Sequence, residues 1–168
     1  MNAAVPPRIR WAVDVVAPRP EERLLEIGCG PGVAAALVCD RLTTGHLLAI
    51  DRSPTAVART TARNAAHVAA HRLEVRESTL AGVRASNLDK AFSVNVNVFW
   101  TTDAVPELTA LRHALRLGGE LFVLYGTGPT ATDRVTPVIA KAMVANGFTE
   151  VTPLSSAAGT GVRAVHSG

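Results

Sequence analysis

Aromatic residues are scarce in this chain: four phenylalanines, two tryptophans and one tyrosine in 168 residues. Basic residues exceed acidic ones only slightly, 17 against 14, for a net charge of +3. They form no run and are not interleaved with aromatics. Nucleic-acid recognition needs cations gathered on one face, and single strands also need stacking platforms. Scattered, solvated arginines make no such footprint. Cysteine is nearly absent. Cys29 and Cys39 fall at the two ends of one expected helix, too far apart to bridge. They form neither a disulfide framework nor a metal-ligand spacing, and read as reduced thiols. No run of about 18 apolar residues exists, and the N-terminus lacks a charged-then-apolar leader pattern. The expectations are a cytoplasmic protein with no membrane span, no metal and no nucleic-acid partner.

What is present is an alternation. The length suits one domain over residues 1–168, with residues 1–20 forming a lead-in and an N-terminal helix (Arg8–Val16) closed by Pro18 and Pro20. The short apolar runs Arg23–Ile27, His46–Ile50, Arg72–Arg76, Lys90–Val98 and Glu120–Tyr125 read as buried strands. Between them lie helical stretches. One runs from Val33 to Leu42. The next has Ser53 as cap, Pro54 at its first position, and an end near Ala69. A third is capped by Thr102 and stopped near Leu117 by Gly118-Gly119. The last runs from Asp133 to Asn146, with Pro137 arguing for a later start. Strands separated by helices imply parallel βαβ units with both sheet faces covered. After Gly147 the alternation breaks: strands near Thr149–Pro153 and Val162–His166 are joined by a loop alone. They are expected as an antiparallel pair at the sheet edge. The fold class is three-layer α/β/α, doubly wound and mostly parallel.

The residues Leu24-Leu25-Glu26-Ile27-Gly28-Cys29-Gly30-Pro31-Gly32 carry the strongest chemical signal. A strand enters a glycine-rich turn that opens a helix, where ligand meets backbone with no Cβ between. A dinucleotide fingerprint needs G-x-G-x-x-G. Here the third glycine comes one residue early and Val33 follows. Pro31 removes an amide donor, and the Glu26 charge would repel a pyrophosphate while suiting a cation. A P-loop is excluded because no Gly-Lys-Ser/Thr follows. Asp51 ends the second strand, at the distance where a carboxylate accepts ribose hydroxyl protons.

This pattern resembles the class I S-adenosylmethionine-dependent methyltransferases, from about Arg23 to the end of the chain. Their first motif is an acidic residue followed by Gly-x-Gly-x-Gly. The resemblance implies a Rossmann-like sheet with S-adenosylmethionine as cofactor and S-adenosylhomocysteine as product. Glu26, Gly28, Cys29, Gly30, Pro31 and Gly32 would wrap its methionine part. Asp51 would hold the ribose, with Arg52 and Ser53 flanking the adenosine. Arg52 departs from the family's usual apolar residue. Glu77 and Ser78 would meet the adenine, Glu77 standing where the family usually has Asp; a solvated loop carboxylate is the plain alternative. Asn95 and Val96, at the end of the fourth strand, would line the transferring methyl, unless the asparagines only bond local backbone.

No catalytic base stands out. Trp11, Asn97, Trp100 and Tyr125, with the Thr127–Thr130 loop, are candidates for acceptor contacts. No inserted lid is visible. The acceptor site would be roofed by the helix around Trp11, by Phe99-Trp100, or by a second subunit of a homodimer. The base-methylating Asp/Asn-Pro-Pro-aromatic pattern is missing, so the expected function is methyl transfer to a small-molecule acceptor. Two rivals stay open: a catalytically inert S-adenosylmethionine-binding module, and an NAD(P)-dependent oxidoreductase, which the missing glycine and Glu26 disfavour.

Overall fold

The computed structural model describes residues 4–128 and 132–168. In chain order the elements are α1 (Pro7–Val16), β1 (Arg23–Ile27), α2 (Val33–Cys39), β2 (His46–Asp51), α3 (Pro54–Arg63), α4 (Ala65–Ala69) and β3 (Leu73–Glu77). There follow β4 (Leu88–Val94), α5 (Val98–Thr101), α6 (Val105–Ala114), β5 (Leu115–Gly126), α7 (Thr132–Ala145), β6 (Phe148–Ser155) and β7 (Gly159–His166).

The seven strands form one sheet in the order β3-β2-β1-β4-β5-β7-β6. The first five strands pair in parallel. β7 is antiparallel to both β5 and β6, so the loop-connected pair sits at the edge, with the last strand inserted inside it. The chain leaves β1 toward β2 and β3, then crosses over to β4 on the other side of β1. The crevice of a doubly wound sheet opens at that reversal, beyond the strand carboxyl ends.

Each strand sends alternate residues to opposite faces, and both faces are covered. Leu24, Leu47, Ala49, Phe92 and Leu124 pack with Ala12 and Val16 of α1 and with Ala35 and Val38 of α2. Leu25, Ile50, Ala91, Leu121 and Val123 pack with Leu108 and Leu111 of α6 and with Ile139 and Met143 of α7. Continuous apolar strands such as HLLAI are buried on both sides for this reason.

Four elements depart from the sequence expectation. The strand expected over Lys90–Val98 spans Leu88–Val94, and Val98 opens α5, because Asn95 turns the chain into left-handed geometry at the strand end. The helix expected from Ser53 to Ala69 is broken at Asn64, which has left helical geometry (φ −110°, ψ 26°). Its buried Nδ2 donates to the carbonyls of Gly32 and Thr60, both at 3.0 Å. A tertiary tether thus outweighs local helix continuity. The helix placed at Thr102–Leu117 spans only Val105–Ala114. Thr102 does not cap it in the usual way; its Oγ1 accepts from the N–H of Ala104 at 3.0 Å, ahead of the helix. Leu115 already pairs with Leu88, and the register then shifts so that Lys90 meets Glu120. Gly118 (φ +75°) and Gly119 therefore serve a bulge in β5 rather than a helix stop. Pro137 lies inside α7 and does not delay its start.

At the end of the sheet away from the crevice, Lys90 is buried. Its Nζ pairs with Glu22 Oε2 at 3.0 Å and donates to the carbonyl of Ala17 at 2.9 Å. Removing one partner strands the other charge in a water-poor site. Glu22→Ala is therefore expected to lower unfolding free energy by about 3 kcal/mol, measured by urea denaturation. The double change Glu22→Leu with Lys90→Met is expected to recover most of that loss.

Candidate functional site

The turn after β1 is built by backbone rather than by side chains. Gly28, Gly30 and Gly32 all have positive φ, at +71°, +54° and +80°. A Cβ on Gly32 would lie 2.8 Å from the Thr60 Cα, and one on Gly28 would lie 2.7 Å from Val96 Cγ2. α3 holds the turn from beneath. Thr60 Oγ1 donates to the Gly30 carbonyl at 2.9 Å, Arg63 Nε to the Pro31 carbonyl at 2.8 Å, and Asn64 to the Gly32 carbonyl. A Cβ on Gly30 would meet nothing within 4 Å, so this backbone borders open space.

Asp51 ties the turn to β2. Its Oδ2 accepts from the N–H of Gly30 at 3.0 Å and its Oδ1 from the N–H of Ser53 at 2.9 Å. Each oxygen keeps a lone pair for a further donor. Glu26 sits one strand away and is 4 % exposed. Its Oε2 is buried with no hydrogen-bond partner. Burial, and then the nearby Asp51 charge, push its carboxyl up to about 8. Glu26 lines neither recess, but an unpartnered buried acidic oxygen two residues before the glycine turn is a place for a cationic or hydrogen-bond-donating group.

Two recesses open at the carboxyl ends of the strands. The larger, about 590 Å³, is lined by Gly28, Ile50, Asp51, Arg52, Ser78 and Leu80, and continues past Asn95, Val96 and Asn97 to Thr101 and Glu107. The smaller, about 340 Å³, includes Asn95, Asn97, Trp100, Tyr125 and Arg8. Asn95 and Asn97 border both. Both volumes suit small-molecule sites.

Most sequence-selected residues converge here, though not all line a recess. Gly28, Asp51, Arg52, Ser78, Asn95 and Val96 line the larger one; Asn97, Trp100 and Tyr125 line the smaller. Cys29 is buried against Thr60, and burial raises its thiol to about 11. Pro31 and Gly32 shape the turn from outside the recess. Ser53 caps α3 by accepting from the N–H of Ala56 at 3.3 Å. Glu77 is exposed and lines neither recess; Ser78, Thr79 and Leu80 take that wall instead. Glu77 pairs with Asp51 at the last rung of β3, and its side chain is exposed to solvent there. Trp11 also lines neither. Its ring packs on Gly159, where a Cβ would lie 2.6 Å from Cζ3. Tyr125 donates its hydroxyl to the Val96 carbonyl at 2.5 Å, and burial raises its pKa, so its proton is committed to that carbonyl. Within the Thr127–Thr130 loop, Thr127 lines the smaller recess, while Pro129 and Thr130 lie outside the described residues. Sequence reasoning missed Glu107, Thr101 and Arg8. They come from α6, α5 and α1, and no spacing rule connects those helices to the crevice.

An open, doubly wound sheet with a glycine turn and a carboxylate at its switch point defines a nucleoside-cofactor-binding α/β protein. The profile of the family described as methyltransferase domain matches residues 24–119, from β1 through the bulge of β5. The chain belongs to this methyltransferase family, and it is an enzyme of that class. No curated protein matches it in sequence. Solved structures match in fold. An S-adenosylmethionine-dependent O-methyltransferase from Thermotoga maritima is 13% identical with a TM-score of 0.78, over 100% of this chain and 68% of that one. An S-adenosylmethionine-dependent methyltransferase from Aquifex aeolicus is 15% identical with a TM-score of 0.74, over 93% of this chain and 88% of that one. A geranyl diphosphate C-methyltransferase from Streptomyces coelicolor, solved with Mg2+, geranyl diphosphate and S-adenosylhomocysteine, is 10% identical with a TM-score of 0.73. That match covers 94% of this chain and 78% of that one.

The Glu26 titration has a consequence for stability. Its folded-state pKa of about 8 lies above the ordinary 4.5, so folding favours the protonated form. The stabilising linkage is complete below pH 4.5 and is lost as pH rises through 8. Urea unfolding of the unliganded protein is expected to show the wild type losing stability relative to Glu26→Gln between those limits. A difference independent of pH would refute the burial argument.

Proposed function

We propose that the larger recess binds S-adenosylmethionine and that the smaller receives a small-molecule methyl acceptor. The observation that carries this reading is the larger recess lined by Gly28 and Asp51 at the strand carboxyl ends, with the buried Glu26 oxygen left unpartnered just before the turn. In this reading Glu26 faces the positive charge of the methionine part, and Gly28 and Gly30 give it room. The free lone pairs of Asp51 accept from the ribose hydroxyls. Ile50, Leu80 and the Arg52 guanidinium surround the base, with Ser78 at its edge. Bound in this way, the cofactor supplies an electrophilic methyl group on a sulfonium sulfur.

The chain's own contribution is alignment and exclusion of water. Asn95, Val96 and Asn97 lie between the recesses and set the line from donor to acceptor. Asn95 is held in left-handed geometry (φ +60°) by its Oδ1, which accepts from the N–H of Gly126 at 2.9 Å. The Tyr125 hydroxyl anchors the Val96 carbonyl. Among the described residues no carboxylate or imidazole lines the smaller recess, which favours an acceptor that needs no side-chain base there. Arg8 and Gly128 are exposed at its mouth, an opening that a second copy of the chain could roof. Two buried, free thiols accord with a cytoplasmic location. No helix among the described residues is long and apolar enough to cross a membrane.

Calorimetry with S-adenosylhomocysteine tests the cofactor assignment. Asp51→Ala is expected to weaken binding by about 1–3 kcal/mol, through ribose hydroxyls left unpaired. Unchanged affinity would remove Asp51 from the site. In the wild type, affinity is expected to rise with pH up to about 8, because the ligand's positive charge favours ionised Glu26; binding releases a proton. Glu26→Gln abolishes that dependence. Transfer of labelled methyl to a metabolite extract then tests turnover.

A further inference from the structure

The smaller recess has a charge preference that can be read from its walls. Arg8 is its one charged side chain among the described residues, and neither Asp nor Glu lines it. The Arg8 stem is seated on Gly126: a Cβ there would lie 2.6 Å from Arg8 Cδ and 3.2 Å from its Cβ. A larger residue at position 126 would displace the arginine from the recess.

The two asparagines add to this polarity. Asn95 Oδ1 accepts from the N–H of Gly126 at 2.9 Å, and Asn97 Oδ1 accepts from the indole N–H of Trp100 at 3.3 Å. Both partners are donors only, so they settle which way each amide faces. Each amide is left with its Nδ2, a donor, for anything that enters. Two nearby hydroxyl protons are committed, Tyr125 to the Val96 carbonyl and Thr160 to the Leu154 carbonyl at 2.9 Å. The recess therefore combines a guanidinium and two amide donors with the ring of Trp100 as an apolar wall.

We infer that this recess selects an organic oxyanion, a small acid whose charged group is held by Arg8 together with the Nδ2 groups of Asn95 and Asn97. The inference rests on the proposed function for the identity of the acceptor site, but its polarity stands on these residues alone. A guanidinium binds an oxyanion through two parallel hydrogen bonds, whereas a neutral amide of the same shape returns neither charge nor that geometry.

The test compares benzoate and phenyl phosphate with the neutral benzamide, by calorimetry on the full chain, with and without saturating S-adenosylhomocysteine. At least one anion is expected to bind about tenfold tighter than benzamide. That preference is expected to vanish in Arg8→Gln and to survive in part in Arg8→Lys. All three proteins are expected to bind S-adenosylhomocysteine within about twofold of each other, because Arg8 lies outside the larger recess. Benzamide binding as tightly as both anions, no binding of either anion, or a preference unchanged in Arg8→Gln would overturn the inference. Failure of the wild type to bind S-adenosylhomocysteine would instead overturn the proposed function, and leaves the anion preference as a separate measurement.

Discussion

The crevice depends on one constraint: three residues in a row of five, Gly28, Gly30 and Gly32, must hold positive φ while joining β1 to α2 and resting on α3. A side chain at position 32 would strike the Thr60 backbone. The hydrogen bonds from Thr60, Arg63 and Asn64 to the carbonyls of Gly30, Pro31 and Gly32 keep the turn from relaxing. Asp51 completes the frame by accepting from Gly30. The turn is rigid because its carbonyls are engaged below, and open because nothing stands above Gly30. Preorganisation of this kind lowers the entropy lost when a ligand is ordered there.

Glu26 illustrates how such a site draws on stability. A buried carboxyl with one oxygen unpartnered and its pKa raised to about 8 is a local liability in the free protein. Lys90 shows the contrast at the opposite end of the same sheet. It is also buried but satisfied by Glu22 and by the Ala17 carbonyl. The satisfied group belongs to the scaffold, and the unsatisfied one stands just before the glycine turn. Natural proteins break local rules chiefly where function requires it.

The alternation of short apolar runs with helical stretches made the sheet legible, because burial on both faces leaves central strands with few polar positions. The edge pair was legible because two strands without a helix between them cannot be parallel neighbours. Element ends were less so. Asn64 breaks a helix to reach Gly32, and Leu115 begins a strand because Leu88 is beside it. Neither partner is visible in a local window. Within the site, Asp51 and the glycines were legible from spacing, but Glu77 was not. It sits exposed on the last rung of β3, and the wall it was expected to form is taken by Ser78, Thr79 and Leu80, which no local spacing reveals.

The sequence by itself determined the layer order, the glycine turn and the carboxylate that follows it, since each is a local pattern of apolarity, φ or charge. Tertiary structure decided what lines the smaller recess. Arg8 of α1, Trp100 of α5, Tyr125 of β5 and Thr160 of β7 meet across long separations, because the sheet order sets β5 beside β7 and α1 lies across their shared face. Which side chains share a recess is a property of packing, and packing is non-local.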